Sequence, residues 1–210
     1  MASRLLYVMD PMCSWCWGFA PVIEALAEQA AAASVPLQIV VGGLRRDQVA
    51  VDAAARVRYL GYWQAVNAST GQLFDFERGL PEGLVYDTEP ACRALVTARN
   101  LHAPSAWTLL KLIQQAFYTE GADVTQASVL VQLAEQAGIP RIEFAEAFDS
   151  QVMEETTAAD FTWVQDLGIA GFPTLLAERD GQLALLTNGY QPLEVLAPLL
   201  GRWLERAAHA

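Results

Sequence analysis

The run Arg4-Leu5-Leu6-Tyr7-Val8-Met9 is almost continuously apolar and too short for a helix, so it predicts a buried strand. A second such run, Leu37-Gln38-Ile39-Val40-Val41, is β-branched and is stopped by Gly42-Gly43. Between them, Val22 to Ala33 is rich in the helix formers Ala, Leu, Glu and Gln, and Val22, Ile23 and Leu26 share one helical face. Strand, helix and strand in this order predict a βαβ unit with parallel strands. Near the other end, Thr174 to Glu178 and Gln182 to Thr187 flank Asp180-Gly181, a two-residue hairpin turn. Gly189 ends that pairing, and Pro192 to Glu205 predicts a closing helix.

From about Leu44 to Asp160 the strand pattern gives way to helical spacing. Asp52 to Val66 predicts a helix with Val57, Leu60 and Trp63 on its buried face, followed by a glycine-rich loop from Gly71 to Gly83 that carries Phe74 and Phe76. Asp87-Thr88-Glu89-Pro90 reads as a helix start, with a capping side chain and an early proline; Leu95, Val96 and Arg99 continue that helix. Leu109, Leu110, Ile113 and Phe117 mark the next helix, from Ala106 to Tyr118. Thr125 is placed to cap another helix through Ala137, with Gly138 as its stop and Pro140 as the restart. Phe144, Phe148 and Val152 carry the last helical stretch toward Leu167. The expected fold class is therefore α/β, with residues 44–160 forming an all-helical insertion in a sheet domain built from residues 1–43 and 161–210.

Composition narrows the partners. Of 210 residues, 53% are hydrophobic and 18% charged, which suits a packed core rather than disorder. A formal net charge of −11 excludes a nucleic-acid or anionic-membrane surface as the leading reading, because phosphate contacts need clustered Lys and Arg. The start Met1-Ala2-Ser3-Arg4 enters the first strand without a signal-peptide pattern, so a cytoplasmic protein is expected.

The chemistry sits between the first strand and first helix, in Asp10-Pro11-Met12-Cys13-Ser14-Trp15-Cys16-Trp17-Gly18. Cys13 falls where free backbone N–H groups and the positive end of the helix dipole stabilise a thiolate. Cys16, one turn further in, is placed to attack a mixed disulfide formed at Cys13. Zinc uses the same CxxC spacing but needs four ligands, and only Cys92, His102 and His209 remain to supply them, none in a second paired motif. No metal is expected. A redox dithiol is the stronger reading, with Cys13 as nucleophile and Cys16 as resolving thiol.

This pattern resembles the thioredoxin superfamily, and within it the DsbA-like branch that includes cytosolic protein-disulfide isomerase-like proteins. Pro21 stands five residues beyond Cys16, where thioredoxins carry a helix proline, and Gly168-Ile169-Ala170-Gly171-Phe172-Pro173-Thr174-Leu175-Leu176 resembles their cis-proline loop. The resemblance to thioredoxin itself covers residues 4–43 and 160–206 only. It implies a cis Pro173 opposite Cys13, with the backbone of Phe172 offered as an edge to a substrate peptide. Trp15, between the cysteines at a helix tip, is hard to bury and is the other candidate substrate contact. Met12, Trp17 and Phe19 add apolar area nearby, and at least one of Trp17 and Phe19 is expected in the core. Asp10 has two open readings, a proton-handling group or a turn and cap residue. Cys92 reads as a buried inert thiol, and His102 as a loop or cap residue.

The expected activity is thiol–disulfide exchange on protein or peptide disulfides, with the cysteine pair as the only redox group. Glutathione or a thioredoxin-type protein is the candidate reductant. The alternative is a glutathione-dependent transferase or isomerase like the kappa-class transferases and 2-hydroxychromene-2-carboxylate isomerases. Those relatives generally carry a serine at the nucleophile position and lack the second cysteine, whereas both Cys13 and Cys16 are present here.

Overall fold

The computed structural model describes residues 3–208; His209 lies outside the described residues. Strand β1 (Ser3–Met9) leads into helix α1 (Ser14–Ala32), and β2 (Leu37–Val41) returns parallel to β1, with Leu5 opposite Leu37 and Met9 opposite Val41. Between β2 and the next sheet strand lie β3 (Arg46–Ala50), α2 (Ala53–Thr70), β4 (Val85–Asp87), α3 (Glu89–Leu101), α4 (Ala103–Glu120), α5 (Ala127–Gln136), α6 (Arg141–Phe148) and α7 (Gln151–Asp166). The chain ends with β5 (Thr174–Arg179), β6 (Gln182–Asn188) and α8 (Leu193–Ala208). The main sheet has the order β2-β1-β5-β6, with β5 antiparallel to both neighbours. The β5–β6 turn places Asp180 at φ 50° and Gly181 at φ 79°, the paired positive values that a two-residue hairpin requires.

Alternation along β1 divides the core. Leu5, Tyr7 and Met9 join Phe19, Ile23 and Leu26 of α1, Ile113 and Phe117 of α4, and Leu196 and Leu200 of α8. Leu6 and Val8 face the other way, onto Val40, Leu176 and Val164 of α7. The insertion is fastened to the sheet at its β2 edge. Arg99 of α3 donates to the Ile39 carbonyl at 2.8 Å and pairs with Asp160 of α7, which itself accepts from the Val41 N–H at 3.1 Å. An open strand edge is thereby covered by an ion pair, leaving those groups unavailable for pairing with another chain.

The all-helical reading of the insertion needs one correction. β3 and β4 form a separate antiparallel ribbon, with Arg46 opposite Asp87 and Ala50 opposite Val85. These strands are short and polar, and they are held by tertiary contacts such as the Arg46–Asp87 ion pair at 3.2 Å rather than by β propensity. Smaller differences follow from helix phase. Val57 is exposed, whereas Trp63 is buried as expected, joined on α2 by Tyr59 and Val66. Val152 is also exposed, because the chain breaks between α6 and α7, where the Ser150 side chain accepts from the Met153 N–H. Thr125 binds the Asp123 carboxylate and does not cap α5, whose N-cap is Gln126. At the start of α3, Asp87 accepts from the Glu89 N–H, and the Thr88 hydroxyl is engaged elsewhere.

Candidate active site

The turn after β1 builds the site. The Cys13 N–H donates to the Asp10 carbonyl at 3.1 Å, and the Met12 N–H donates to Asp10 Oδ1 at 2.8 Å. Side chain and backbone of one residue thus hold the tight turn that sets Cys13 as the N-cap of α1. The Cys13 carbonyl accepts the first helical bond, from Trp17 at 3.1 Å, which sets the cysteine at the helix end where first-turn N–H groups have no partner within the helix. Its Sγ donates to the Phe172 carbonyl at 3.7 Å, across from the cis Phe172–Pro173 bond. Cys13 keeps 6% of its surface accessible, whereas Cys16 has none. Both are free thiols. Burial pushes the Cys16 thiol well up, and the neighbouring Cys13 and the Asp10 charge push the same way.

Asp10 is fully enclosed, and its second oxygen accepts from the Leu44 N–H at 2.7 Å, the Thr88 hydroxyl at 2.6 Å and the Cys92 thiol at 3.3 Å. With Met12 this makes four donors around one carboxylate, joining the end of β1 to the loop after β2 and to α3. Burial raises its pKa, and the hydrogen bonds pull it back down. Cys92 is buried beside it and its thiol is also raised by burial. His102 lies between α3 and α4, with its Nδ1 bonded to Ser105 Oγ.

Cys13 opens onto a groove of about 340 Å³ whose lining includes Trp15, Leu44, Arg45, Tyr62, Tyr86 and Phe172. Trp15 is half-buried, against Tyr190 at 5.8 Å. Phe19 is in the core, and Trp17 is half-buried with its indole N–H on the Leu73 carbonyl. The Phe172 ring lies against Gly42, where an added Cβ would meet it at 2.0 Å. Sequence reasoning missed Arg45, Tyr59, Tyr62 and Tyr86. Arg45 lies over the Tyr59 and Tyr86 rings at 4.8 and 5.3 Å, and among the described residues it is the one charged side chain lining the groove. Tyr86 reaches from β4 to donate to the Met12 carbonyl at 2.7 Å. The one signal for Arg45 in the sequence is its place just after β2, whose end adjoins Asp10. Among the described residues no three His, Cys, Asp or Glu side chains are grouped to hold a metal ion.

A DSBA-like thioredoxin domain profile matches residues 4–201. The chain belongs to that family. Among solved structures, a proposed protein disulfide isomerase from Nitrosomonas europaea is 40% identical, with a TM-score of 0.90 over 98% of this chain and 99% of that one. Cytosolic disulfide reductase DsbM from Pseudomonas aeruginosa is 30% identical, with a TM-score of 0.79 over 95% and 98%. The same reductase solved with GSH is 29% identical, with a TM-score of 0.76. A curated relative, the ClpXP adapter protein SpxH of Halalkalibacterium halodurans, is 20% identical over 91% of this chain; the match spans 64% of that protein's length. The fold is thus the DsbA-like thioredoxin fold with a helical insertion, and the family places the chain among the thiol–disulfide oxidoreductases.

Proposed function

We propose that this protein is a cytoplasmic thiol–disulfide reductase or isomerase in which Cys13 attacks and Cys16 resolves. The observation that carries the reading is the asymmetry of the pair. Cys13 sits at a helix N-terminus on the wall of a groove, while Cys16 is enclosed behind it with its thiol held protonated by burial. In the forward reaction the Cys13 thiolate attacks a substrate disulfide, a Cys13–substrate bond forms, and the first substrate thiolate leaves and takes a proton. Cys16 then gives up its proton and attacks the Cys13 sulfur. The Cys13–Cys16 bond forms, the second substrate thiolate leaves, and the substrate has gained two electrons. A thiol reductant, glutathione or a thioredoxin-type protein, restores the dithiol.

Trp15, the Phe172 backbone and Pro173 are the proposed contacts for a protein or peptide substrate, and Arg45 is the site for an anionic group beside the sulfur. The GSH complex of the DsbM relative supports glutathione, which carries two carboxylates, as one partner. That relative's description as cytosolic supports the compartment, and no helix among the described residues is long and apolar enough to cross a membrane.

Ser14 and Trp15, the two residues between the cysteines, bring no positive charge, so the thiolate is stabilised less than in a strong oxidant. The potential is expected between the thioredoxin and DsbA values of about −270 and −120 mV, near −200 mV. Against a cytosolic pool near −280 mV, that gap of about 80 mV is roughly 3.7 kcal/mol, or several hundred-fold in favour of the dithiol. Equilibration in glutathione buffers measures this. A value near −120 mV would make the protein an oxidant and reject the reductive direction.

A further inference from the structure

The main sheet has two edge strands, and the chain treats them differently. The β2 edge is closed by Arg99 and Asp160. β6, at the other edge, pairs only with β5 among the described residues. Edge strands commonly carry charges or proline that discourage pairing with another chain. The seven residues of β6, Gln182–Asn188, include neither. Two leucines stand out of it instead, Leu183 at 41% exposure and Leu185 at 62%, in a chain of net charge −11. Single exposed leucines are ordinary, but two on one charge-free edge form a patch.

The hairpin register fixes which backbone groups are free. The two-residue turn closes on the Arg179–Gln182 pair, and Ala177–Ala184 is the next pair that exchanges hydrogen bonds. Leu183 and Leu185 fall at the alternate positions, opposite Glu178 and Leu176. Their N–H and C=O groups therefore point out along the free edge, and their side chains share the sheet face of Leu176. Beyond Leu185 the register shifts, opposite Leu175 and Leu176, which ends the regular stretch. The edge thus offers one short ladder, centred on Ala184.

We propose that this edge docks a second copy of the chain, β6 against β6, antiparallel about a two-fold axis at Ala184. In that register Leu183 exchanges backbone hydrogen bonds with the second copy's Leu185, and Leu185 with its Leu183, about four bonds in all. The same pairing sets the four leucine side chains together on one face and the two Ala184 methyl groups together on the other. The strand is its own complement, as an isologous interface requires. Charge favours the same occupant. Two copies of an acidic chain repel over most of their surfaces, but β6 brings no charge to the axis, and Asp180 at its end falls beside the second copy's Asn188. A foreign strand would gain the backbone bonds without the matched leucine pairs. Cys13 meets Phe172 beyond the Thr174–Asn188 end of the hairpin, so antiparallel pairing leaves the two grooves at opposite ends of the joined sheet, both open.

Sedimentation velocity of the reduced full-length protein across micromolar concentrations is the test. The mass should rise from 22.9 kDa toward twice that value. Leu185→Lys should weaken association about a hundred-fold, because each dimer loses two buried leucines and each is worth about ten-fold. Its turnover of glutathione disulfide should stay as in the wild type. The register has its own readout. In a chain with Cys13 and Cys16 both changed to serine, Ala184→Cys should give a disulfide-linked dimer on oxidation, and Gln182→Cys, which lies far from its own copy across the axis, should not. A mass that stays at the monomer value overturns the proposal. So does a dimer that Leu185→Lys leaves intact, equal cross-linking from Gln182→Cys, or an edge that takes up a foreign β-strand peptide without self-association. If Leu185→Lys does not fold, Ala184→Cys decides alone, and the absence of a cross-link rejects the interface. Failure of the dithiol reading would show instead as a wild type without turnover, whatever its mass.

Discussion

Replacing Asp10 with alanine removes one carboxylate and disturbs four donors. Their fates differ. The Thr88 hydroxyl has a second acceptor, the Arg45 carbonyl at 3.3 Å, and the Cys92 thiol is a weak donor. The Met12 and Leu44 N–H groups are left without their acceptor, at about 1–3 kcal/mol each. Relief of the buried charge, visible in the raised carboxyl, offsets part of this, so Asp10→Ala should cost about 2–4 kcal/mol. For a chain of this size that is a fall in Tm of roughly 5–15 °C. Urea unfolding with an unchanged m-value is the assay. The pH dependence has a definite sign. The folded carboxyl holds its proton above the unfolded value of about 3.9, so the folded state binds more protons and stability at this site falls as pH rises through that window. The gap between wild type and Asp10→Ala should therefore narrow from about pH 4 upward, until the folded carboxyl is ionised. A loss below about 0.5 kcal/mol, the range of ordinary surface changes, would refute the claim that Asp10 ties the site together.

Three further outcomes are expected. At neutral pH an alkylating agent should modify Cys13 well before Cys16 or Cys92, since only Cys13 has accessible surface; peptide mapping with equal labelling of all three would count against the assignment. Gly42→Ala should lower both stability and exchange rate, because its Cβ would lie 2.0 Å from the Phe172 ring; overpacking of this kind costs about 1–3 kcal/mol, and wild-type melting and turnover would disprove it. Arg45→Leu should raise KM for glutathione disulfide about ten-fold with little change in kcat, the size expected for losing a hydrogen bond to a charged group. An unchanged KM would remove Arg45 from substrate binding.

The sheet was legible because its strands carry continuous or alternating apolar runs bounded by Gly42-Gly43, Asp180-Gly181 and Gly189. The dithiol was legible because a strand, a CxxC and a helix follow one another directly. The rest depends on contacts distant in sequence. Thr88 and Cys92 meet Asp10 from 78 and 82 residues away, and Tyr86 meets Met12 from 74. Nothing local distinguishes Tyr86 from any tyrosine in a short polar strand. Arg99 and Asp160 look like ordinary helix-surface charges until the topology sets both on the edge of β2. Tyr7 reads as one apolar position in a buried strand, and only the packing of α1 on the sheet shows that its hydroxyl is enclosed without a hydrogen-bond partner among the described residues.

In the proposed exchange Cys13 takes the substrate sulfur and Cys16 removes it. Its most direct test is Cys16→Ala mixed with glutathione disulfide, followed by intact-mass measurement and peptide mapping. A stable adduct of one glutathione per chain should form on Cys13, and none when Cys13 is also changed to serine. A missing adduct, or one carried by Cys92, would contradict it.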